Sequence, residues 1–332
     1  MPLELITYRR GKNVPDLPGK NTFHSKELFQ IYEATTGYSP LLIVAYEDNK
    51  PVARMLAAVR KAKKWIPGIL ARQCVVYGSA EFLETDSLIS KEKEEDIFGE
   101  IIECLTQEVG LSCLLIEFRN LENAMFGYKA FRANKFFPVN WLRVRNSLHS
   151  MKKTEERFSP SRVRQIKKGL KNGAKVEEAQ TVEEIRSFSR MLRKIYSSRI
   201  RKYFPNKDFF HHMDKYMVKG EQGKIFIVKH KERIIGGSVC IYSGENAYLW
   251  FSGGMRKTYA LQYPGILAVW KALEDAHERG YQHMEFMDVG LPFRKHGYRD
   301  FVLRFGGKQS STRRWFRIRW GWLNNLMIKF YV

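Results

Sequence analysis

The chain has 332 residues and a net charge of +22, and its length predicts about two domains. Apolar residues make up 44% and charged residues 28%, which excludes a disordered chain. The longest stretches without a charged side chain are short of the ~18 residues that a membrane-spanning helix needs, and Met1 opens no signal segment. The four scattered cysteines suggest neither a metal knuckle nor a disulfide framework. A cytoplasmic protein is therefore expected.

The first half of the chain alternates strand and helix signals. Buried strands are predicted at Leu41–Tyr46, Val52–Val59, Gln73–Tyr77 and Cys113–Phe118. Asp48 and Asn49 supply a turn between the first two of these strands. Ser90 is expected to cap a helix that runs to Val109 and ends at Gly110, because apolar residues recur every four positions along it.

The second half repeats this order of elements. Strands are predicted at Lys224–Val228, Arg233–Ile241, Ala247–Phe251 and His283–Met287. Thr181 and Glu184 form a capping box for one helix, and Pro264 begins another that ends at Gly280. Residues 147–160 are interpreted as the junction. The sequence therefore predicts an α/β (α+β) fold with domains at 1–150 and 151–332, each a mixed, mostly antiparallel sheet flanked by helices.

The positive charge is concentrated in the second half. Residues 1–150 hold 20 basic and 18 acidic side chains, whereas residues 151–332 hold 37 and 17. This imbalance favours an anionic partner, such as RNA, a phosphate-bearing cofactor or a lipid head group. A surface that is merely well solvated is the alternative.

The densest cluster of basic residues lies on a predicted helix that begins at Pro160 and stops at Gly173. Its apolar residues recur at i, i+3 and i+7, and the basic residues fall largely off that stripe. The predicted RNA- or anion-binding face consists of Arg164, Lys167, Lys168 and Lys171.

Four segments of the second half match motifs of one known family, in the same order. They are the helix and strand at Arg164–Val176, the strand and glycine turn at Tyr248–Gly254, the helix opening at Tyr263–Leu267 and the closing segment Gly297–Gly307. In these segments, the chain resembles the FemABX-type transferases. The doubled order of elements likewise resembles a tandem GNAT acyltransferase, so the resemblance implies two GNAT-like domains.

FemABX proteins transfer an amino acid from aminoacyl-tRNA onto an amine of a peptidoglycan precursor, often a lipid-linked one, and related GNAT-like proteins are thought to use acyl-CoA. The resemblance thus implies an acyl- or aminoacyltransferase that acts on a cell-envelope precursor and holds no permanent cofactor. Val302 stands where the family has a lysine, and residues 256–265 lack the glycine spacing of a CoA pyrophosphate loop. Both donors, aminoacyl-tRNA and acyl-CoA, therefore stay open.

The expected chemistry is direct attack of an amine on the activated carbonyl, because the sequence has neither G-x-S-x-G nor a catalytic cysteine motif. Glu285 and Asp288 lie at and just beyond a strand end, where sites of α/β sheets gather. Either is expected to orient or deprotonate the amine, and Asp288 is the better placed. Alternatively, one acid pairs with Arg294 or Lys295.

Arg304 is expected two places after Val302 on the same face of an extended segment, where it would stabilise the oxyanion or bind donor phosphate. A basic surface coat is the alternative. The predicted substrate-binding residues are aromatic side chains that alternate along a strand and glycines followed by cations: Tyr248, Trp250, Gly253, Gly254, Arg256, Lys257, Tyr263 and Lys308. A core role or a simple turn is the other reading. No metal site is expected, because the histidines lack ligand spacing.

The segment Arg313–Tyr331 first alternates cations with apolar side chains and then shows helical spacing. Basic groups beside Trp and Phe suit the interface of an anionic membrane, so peripheral association at its inner face is one prediction. A last strand and helix packed on the domain is the other. For the whole chain, the alternative function is a non-catalytic RNA- or membrane-binding protein on a decayed GNAT scaffold.

Overall fold

The computed structural model describes residues 3–61, 68, 70–83, 90–121, 123–149, 152–196 and 204–331. The chain forms two compact units: an N-terminal unit of residues 1–141 and 311–332, and a C-terminal unit of residues 142–310. This division differs from the predicted one at both ends. The first boundary lies nine residues before the predicted boundary at 150/151, and the C-terminal segment belongs to the N-terminal unit.

The elements are defined as follows. The strands are β1 (Leu3–Tyr8), β2 (Tyr38–Glu47), β3 (Lys50–Lys61), β4 (Arg72–Tyr77), β5 (Glu81–Phe82), β6 (Leu115–Arg119), β7 (Phe137–Ser147), β8 (Ala174–Glu178), β9 (Gly223–His230), β10 (Arg233–Ser243), β11 (Asn246–Gly254), β12 (His283–Phe286) and β13 (Lys308–Ile318). The α-helices are α1 (Lys26–Ala34), α2 (Lys91–Val109), α3 (Tyr128–Ala133), α4 (Pro160–Lys171), α5 (Val182–Ile195), α6 (Lys207–Met213), α7 (Pro264–Glu278), α8 (Gly297–Leu303) and α9 (Gly321–Tyr331).

The sheet of the N-terminal unit has the strand order β1-β2-β3-β4-β6-β13, with β5 also on β3. Its pairs are antiparallel except β4 with β6, which are parallel and joined through α2. The Ser90 hydroxyl caps α2 by accepting from the Lys93 N–H. The apolar face of α2 then packs on the sheet around Phe98, Ile101 and Leu105, which are fully buried.

The C-terminal unit repeats this plan with the order β7-β12-β11-β10-β9-β8. Here too a single parallel pair, β11 with β12, spans a helix, α7, and the other described pairs are antiparallel. The capping box at Thr181 and Glu184 begins α5. Each unit is therefore an α/β sandwich with a mostly antiparallel sheet, as the sequence predicted.

One predicted element is wrong. The segment around Val302 is not extended, because Gly297–Leu303 forms α8 and Arg304 is its C-cap. Val302 is fully buried in the core of the C-terminal unit, together with Phe305. The position where the FemABX motif has a lysine is thus a core position in this chain.

A buried histidine makes the N-terminal unit sensitive to acid. His24 is fully buried, and its Nδ1 accepts a 3.0 Å hydrogen bond from the Leu56 N–H. Burial, more than the charge of Arg54, lowers the pKa of His24 from 6.5 to about 3. Since the unfolded chain takes up this proton below about pH 6.5 and the folded chain does not, the free energy of unfolding falls as the pH falls through this range.

We expect this group to cost about 1.4 kcal/mol of stability for each pH unit below about 6.5. Urea unfolding of the wild type and of His24→Gln, measured from pH 7 down to pH 5, tests this expectation. The free energy of unfolding of the variant should fall less steeply with falling pH than that of the wild type, by about 1.4 kcal/mol for each pH unit. Equal slopes in the two proteins would show that His24 carries no linked proton.

Candidate active site

The parallel strands β11 and β12 pair over only four residues. Their register runs from Asn246 beside His283 to Leu249 beside Phe286, where β12 ends, whereas β11 continues to Gly254. A β-bulge falls at Trp250, because the β10 partner shifts from Val239 to Cys240 across it. Beyond Leu249, β11 therefore has an edge that β12 does not cover, and we call residues 250–254 the open edge of β11.

Two tyrosine hydroxyls meet this open edge at Ser252. The Tyr196 hydroxyl donates to the Ser252 carbonyl oxygen at 3.1 Å, and the Tyr298 hydroxyl is hydrogen-bonded to the Ser252 side chain. Burial raises the pKa of Tyr298 to about 12 and that of Tyr196 well above its ordinary value; the nearby charge of Asp288 adds to both shifts. Both side chains therefore remain neutral hydroxyls, which can donate hydrogen bonds at any physiological pH.

Asp288 lies two residues beyond the end of β12, at the same end of the sheet. Its backbone has a positive φ of 62°, a conformation that residues with a side chain rarely adopt, and the residue is exposed. The charge of Asp288 contributes to the pKa shifts of Tyr196, Tyr298 and His296, so these four side chains share one electrostatic neighbourhood. Asp288 thus lies just outside the strand, where the sequence predicted it.

His296 is one of three residues of this group, with Tyr196 and Tyr298, that sequence reasoning did not select. It precedes α8, and its ring packs on Gly290 so closely that a Cβ there would lie 2.7 Å from the ring. Burial, followed by the charge of Arg299, lowers the pKa of His296, while Asp288 and Asp300 oppose this shift. The imidazole is therefore neutral at pH 7 and able to accept a proton. The only sequence signal was its place directly before the Gly297–Gly307 motif.

Glu285 forms an ion pair inside the sheet of the C-terminal unit. It is 4% exposed and forms a short ion pair with Arg145 on the adjacent strand β7. Burial raises the pKa of Glu285, and the charges of Arg145 and Arg143 partly offset this effect. The alternative reading of a salt bridge holds for Glu285, although its partner is Arg145 and not Arg294 or Lys295.

Removing the cation of this pair should destabilise the C-terminal unit. We expect Arg145→Leu to lower the free energy of unfolding by about 3 kcal/mol, because Glu285 is then left buried without its closest counter-charge. The double variant with Glu285→Gln should regain part of this loss. Chemical denaturation of the three proteins checks the prediction, and equal stability of the single and double variants would contradict it.

Arg304 lies at the first turn of α4. Its guanidinium donates to the Ser161 hydroxyl, and its carbonyl accepts from the Ser159 N–H at 3.0 Å. Next to it, Arg162 is 2% exposed, with its guanidinium 4.6 and 4.5 Å from the ring centres of Phe301 and Phe305. Burial and the charge of Arg304 lower the pKa of Arg162 to about 10. In these contacts Arg304 joins α8 to α4, whereas Asp288 belongs to the group around Ser252.

The two predicted phosphate-binding glycines let helices approach the sheet closely. A Cβ at Gly253 would lie 2.3 Å from Ile195 of α5, and one at Gly254 would lie 2.3 Å from the Gly265 backbone nitrogen at the start of α7. The first residue of α7 is Pro264, which has no N–H to offer a phosphate. The first turn of α7 is therefore a poor pyrophosphate cradle, although helix N-termini commonly bind phosphate.

The remaining predicted substrate-binding residues lie in two kinds of environment. Tyr248 is 6% exposed, and Trp250 is half-buried with its ring 5.4 Å from that of Phe209. Tyr263 is half-buried and has a left-handed backbone directly before α7. The basic residues are exposed in the turn after β11 and at the start of β13: Arg256, Lys257 and Lys308.

The basic residues of α4 form an exposed face, as their spacing predicted. Arg164, Lys167, Lys168 and Lys171 are all exposed, and no ion pair joins them to an acid among the described residues. The opposite side of α4 packs at Gly169 against the Gln262 carbonyl, in the segment before α7. The unit that holds α4 has 34 basic and 17 acidic residues over 142–310. This face therefore presents four positively charged side chains to solvent.

Three further observations concern metals, thiols and membranes. Within the described part of the chain, no three His, Cys, Asp or Glu side chains are grouped closely enough to hold a metal ion. Cys74, Cys104, Cys113 and Cys240 are all free thiols. The helices that the structure describes include none with the length and apolar character needed to cross a membrane.

Residues 160–295 match the family model of the acetyltransferase (GNAT) domain. The fold and this match indicate the class of protein, an acyltransferase, because the matched residues lie within the C-terminal unit and make that unit similar to a GNAT domain. The described site lies within or directly beside the matched residues. A search of curated proteins gave no match to this chain.

Solved structures show the same two-unit fold over nearly the whole chain. FemX shares 12% sequence identity at a TM-score of 0.63, covering 98% of this chain and 99% of FemX. A tandem GNAT protein from the clavulanic acid biosynthesis pathway shares 9% identity at a TM-score of 0.55, covering 96% of this chain and 99% of that protein. The C-terminal domain of a protein assigned as a lysylphosphatidylglycerol synthetase from Agrobacterium fabrum shares 9% sequence identity at a TM-score of 0.57. The match covers 93% of this chain and 91% of that domain. The expected FemABX-type tandem GNAT fold is thus confirmed.

Proposed function

We propose that the C-terminal unit transfers an aminoacyl group from aminoacyl-tRNA onto an amine of a cell-envelope precursor. The observation that carries this proposal is the open edge of β11, around which Tyr196, Tyr298, Asp288 and His296 are grouped. The N-terminal unit has no such opening at the corresponding strands. There β4 and β6 pair to their last residues, Tyr77 and Arg119, and the Gly78 N–H then donates to the Arg119 carbonyl at 2.9 Å.

In the proposed reaction, the acceptor amine attacks the ester carbonyl of the donor directly. A C–N bond forms, the C–O bond to the carrier breaks, and the carrier hydroxyl leaves. Neutral His296 takes the amine proton and returns one to the leaving oxygen, while Asp288 stabilises the imidazolium that forms in between. The Tyr298 hydroxyl is placed to donate to the carbonyl oxygen as it becomes anionic. No covalent enzyme intermediate is needed.

The charge distribution supports tRNA as the donor. The exposed cations of α4 suit a long polyanion, because each phosphate that they neutralise releases counterions. By contrast, the first turn of α7 lacks one N–H at Pro264 and is packed against Gly254. Acyl-CoA is the second candidate donor, and the match to the acetyltransferase (GNAT) domain favours it.

The acceptor is proposed from the structural likeness. FemX and the lysylphosphatidylglycerol synthetase domain both share the fold over more than nine-tenths of this chain. Together with the basic C-terminal unit, they support an anionic, lipid-linked acceptor at the inner face of the membrane. The side chains around the open edge of β11 are those that would receive its amine.

The test is a transfer assay with purified protein and a bacterial membrane extract. Total tRNA charged with radiolabelled amino acids and radiolabelled acetyl-CoA are supplied separately, and the labelled product is identified by mass spectrometry. Label transferred from tRNA to an envelope amine supports the proposal. Transfer from acetyl-CoA alone would show that the donor is acyl-CoA and not aminoacyl-tRNA. If the protein binds tRNA but transfers label from neither donor, the alternative of a non-catalytic binder on a decayed GNAT scaffold is favoured.

A further inference from the structure

The C-terminal helix α9 leaves an apolar stripe uncovered. Its inner side is anchored by Asn324, which accepts from the Ile318 N–H and donates to the Lys135 carbonyl, each at 2.8 Å. Tyr331 stacks on Phe137 on the same side. On the outer side, Trp322, Leu326 and Phe330 recur every four residues and are 71%, 43% and 75% exposed. We call these three residues the α9 stripe.

Exposed apolar side chains are concentrated around this stripe. Twelve large hydrophobic residues of the described chain are exposed, and five of them lie between Trp320 and Tyr331. Single exposed apolar residues are ordinary, but a row of them along one helix, with the exposed Trp320 just before it, indicates an interaction surface. Two side chains of the preceding strand β13 do not belong to this surface, because Trp315 is fully buried and Arg314 pairs with Glu117 in the sheet.

The charges near the stripe have one sign. From residue 301 to the last residue, the sequence contains seven basic and no acidic side chains. Lys329 is exposed on α9, and Arg319 lies two residues before the helix, with its guanidinium hydrogen-bonded to the Leu111 carbonyl. Lys135, whose carbonyl holds Asn324, is also exposed. The apolar row is therefore bordered by cations.

This combination fits an anionic lipid surface better than a second copy of the chain. A two-fold contact through the stripe would bring Arg319 and Lys329 of both copies together, and the like charges would repel. At a bilayer, Trp and Phe lie at the level of the head groups while neighbouring cations meet anionic lipids, and each cation adds a favourable term.

We infer that the α9 stripe docks this protein on an anionic membrane, with the helix lying in the interface. The inference deepens the proposed function and rests on it in one respect, namely that the acceptor amine is presented at the membrane. Lipid binding itself depends on the stripe and its cations and not on the transfer reaction.

The experiment measures binding of the full chain to lipid vesicles by co-sedimentation. Vesicles of phosphatidylcholine alone are compared with vesicles in which a third of the lipid is phosphatidylglycerol. The wild type should bind the anionic vesicles, and the double variant Trp322→Ser/Phe330→Ser should lose at least about tenfold in partition coefficient. Phe293→Ser is the matched control, because this aromatic residue of the other unit is 97% exposed and its loss should leave binding unchanged. Arg319→Gln/Lys329→Gln should also weaken binding, and more so at low salt.

A second measurement needs no variant. Lipids brominated in the acyl chain should quench part of the wild-type tryptophan fluorescence in anionic vesicles, because Trp320 and Trp322 would enter the interface. Equal binding by wild type and Trp322→Ser/Phe330→Ser, the absence of quenching, or a dimer that the double variant abolishes would each overturn the inference. If the protein does not bind vesicles but still transfers label from tRNA to a water-soluble amine, the inference fails and the proposed function stands. If it binds anionic vesicles but transfers no label from tRNA, the proposed function fails and the inference stands.

Discussion

Replacing His296 by asparagine is expected to lower kcat by about 10²–10⁴-fold, the usual contribution of a positioned acid–base group. The reason is that burial keeps the imidazole neutral, while the charge of Asp288 favours the protonated form that it takes during the reaction. Affinity for the donor should change little, because the polyanion is proposed to bind mainly on α4. Single-turnover transfer and equilibrium donor binding, measured on the same preparations, separate the two effects.

His283 offers a matched control in the same unit. Its pKa is also lowered by burial, but it lies at the opposite end of β12, where its ring is hydrogen-bonded to Asn246 at 3.1 Å. His283→Asn should therefore keep its turnover. If both variants lose activity equally, the loss reflects folding and not proton transfer at the open edge of β11.

The pH dependence distinguishes His296 from Asp288 as the base. The negative charge of Asp288 raises the pKa of His296, so Asp288→Asn should lower that pKa and move the acid limb of kcat/KM to lower pH. If Asp288 is itself the base, the acid limb will be lost together with most of the activity. Asp300→Asn, which removes another charge that acts on His296, should shift the limb in the same direction while turnover is retained.

Local signals in the sequence predicted the strands β11 and β12 and the helices α2, α5 and α7, but not α8, which carries Tyr298. Ser90, Thr181 and Pro264 each mark a helix start by capping or by a fixed φ, and these features act within one turn. The open edge of β11 could not be predicted in this way, because it depends on where β12 stops pairing. The bulge at Trp250 likewise exists only relative to its partner strand β10.

Non-local pairing also explains the unexpected place of the C-terminal segment. Arg314 binds Glu117, 197 residues earlier in the chain, and β13 pairs with β6 inside the N-terminal unit. Alternating cations and apolar residues predicted a strand, but that pattern does not specify the partner. His296 was missed for a related reason: a lone histidine beside a loop becomes a candidate base only when its burial and the nearby charge of Asp288 are known.

Removing the cationic face of α4 is expected to separate binding from chemistry. Changing Arg164, Lys167, Lys168 and Lys171 together to glutamine should weaken tRNA binding by about 10²-fold at low salt. The slope of log K against log salt should become shallower by about three, since each lost phosphate contact contributes about 0.7–0.9. These side chains are exposed and none forms an ion pair among the described residues, so folding should be unaffected. The bound donor should still react at the wild-type rate.

Four exposed cations of the N-terminal unit provide the control for net charge: Arg10, Lys12, Lys91 and Lys129. Their replacement by glutamine removes the same total charge and should leave the affinity for tRNA within about twofold at physiological salt, where the Debye length is ~8 Å. Equal losses in the two quadruple variants would mean that the overall charge of +22 attracts RNA without a defined site. A loss confined to the α4 variant places the donor on the C-terminal unit, which also holds the open edge of β11.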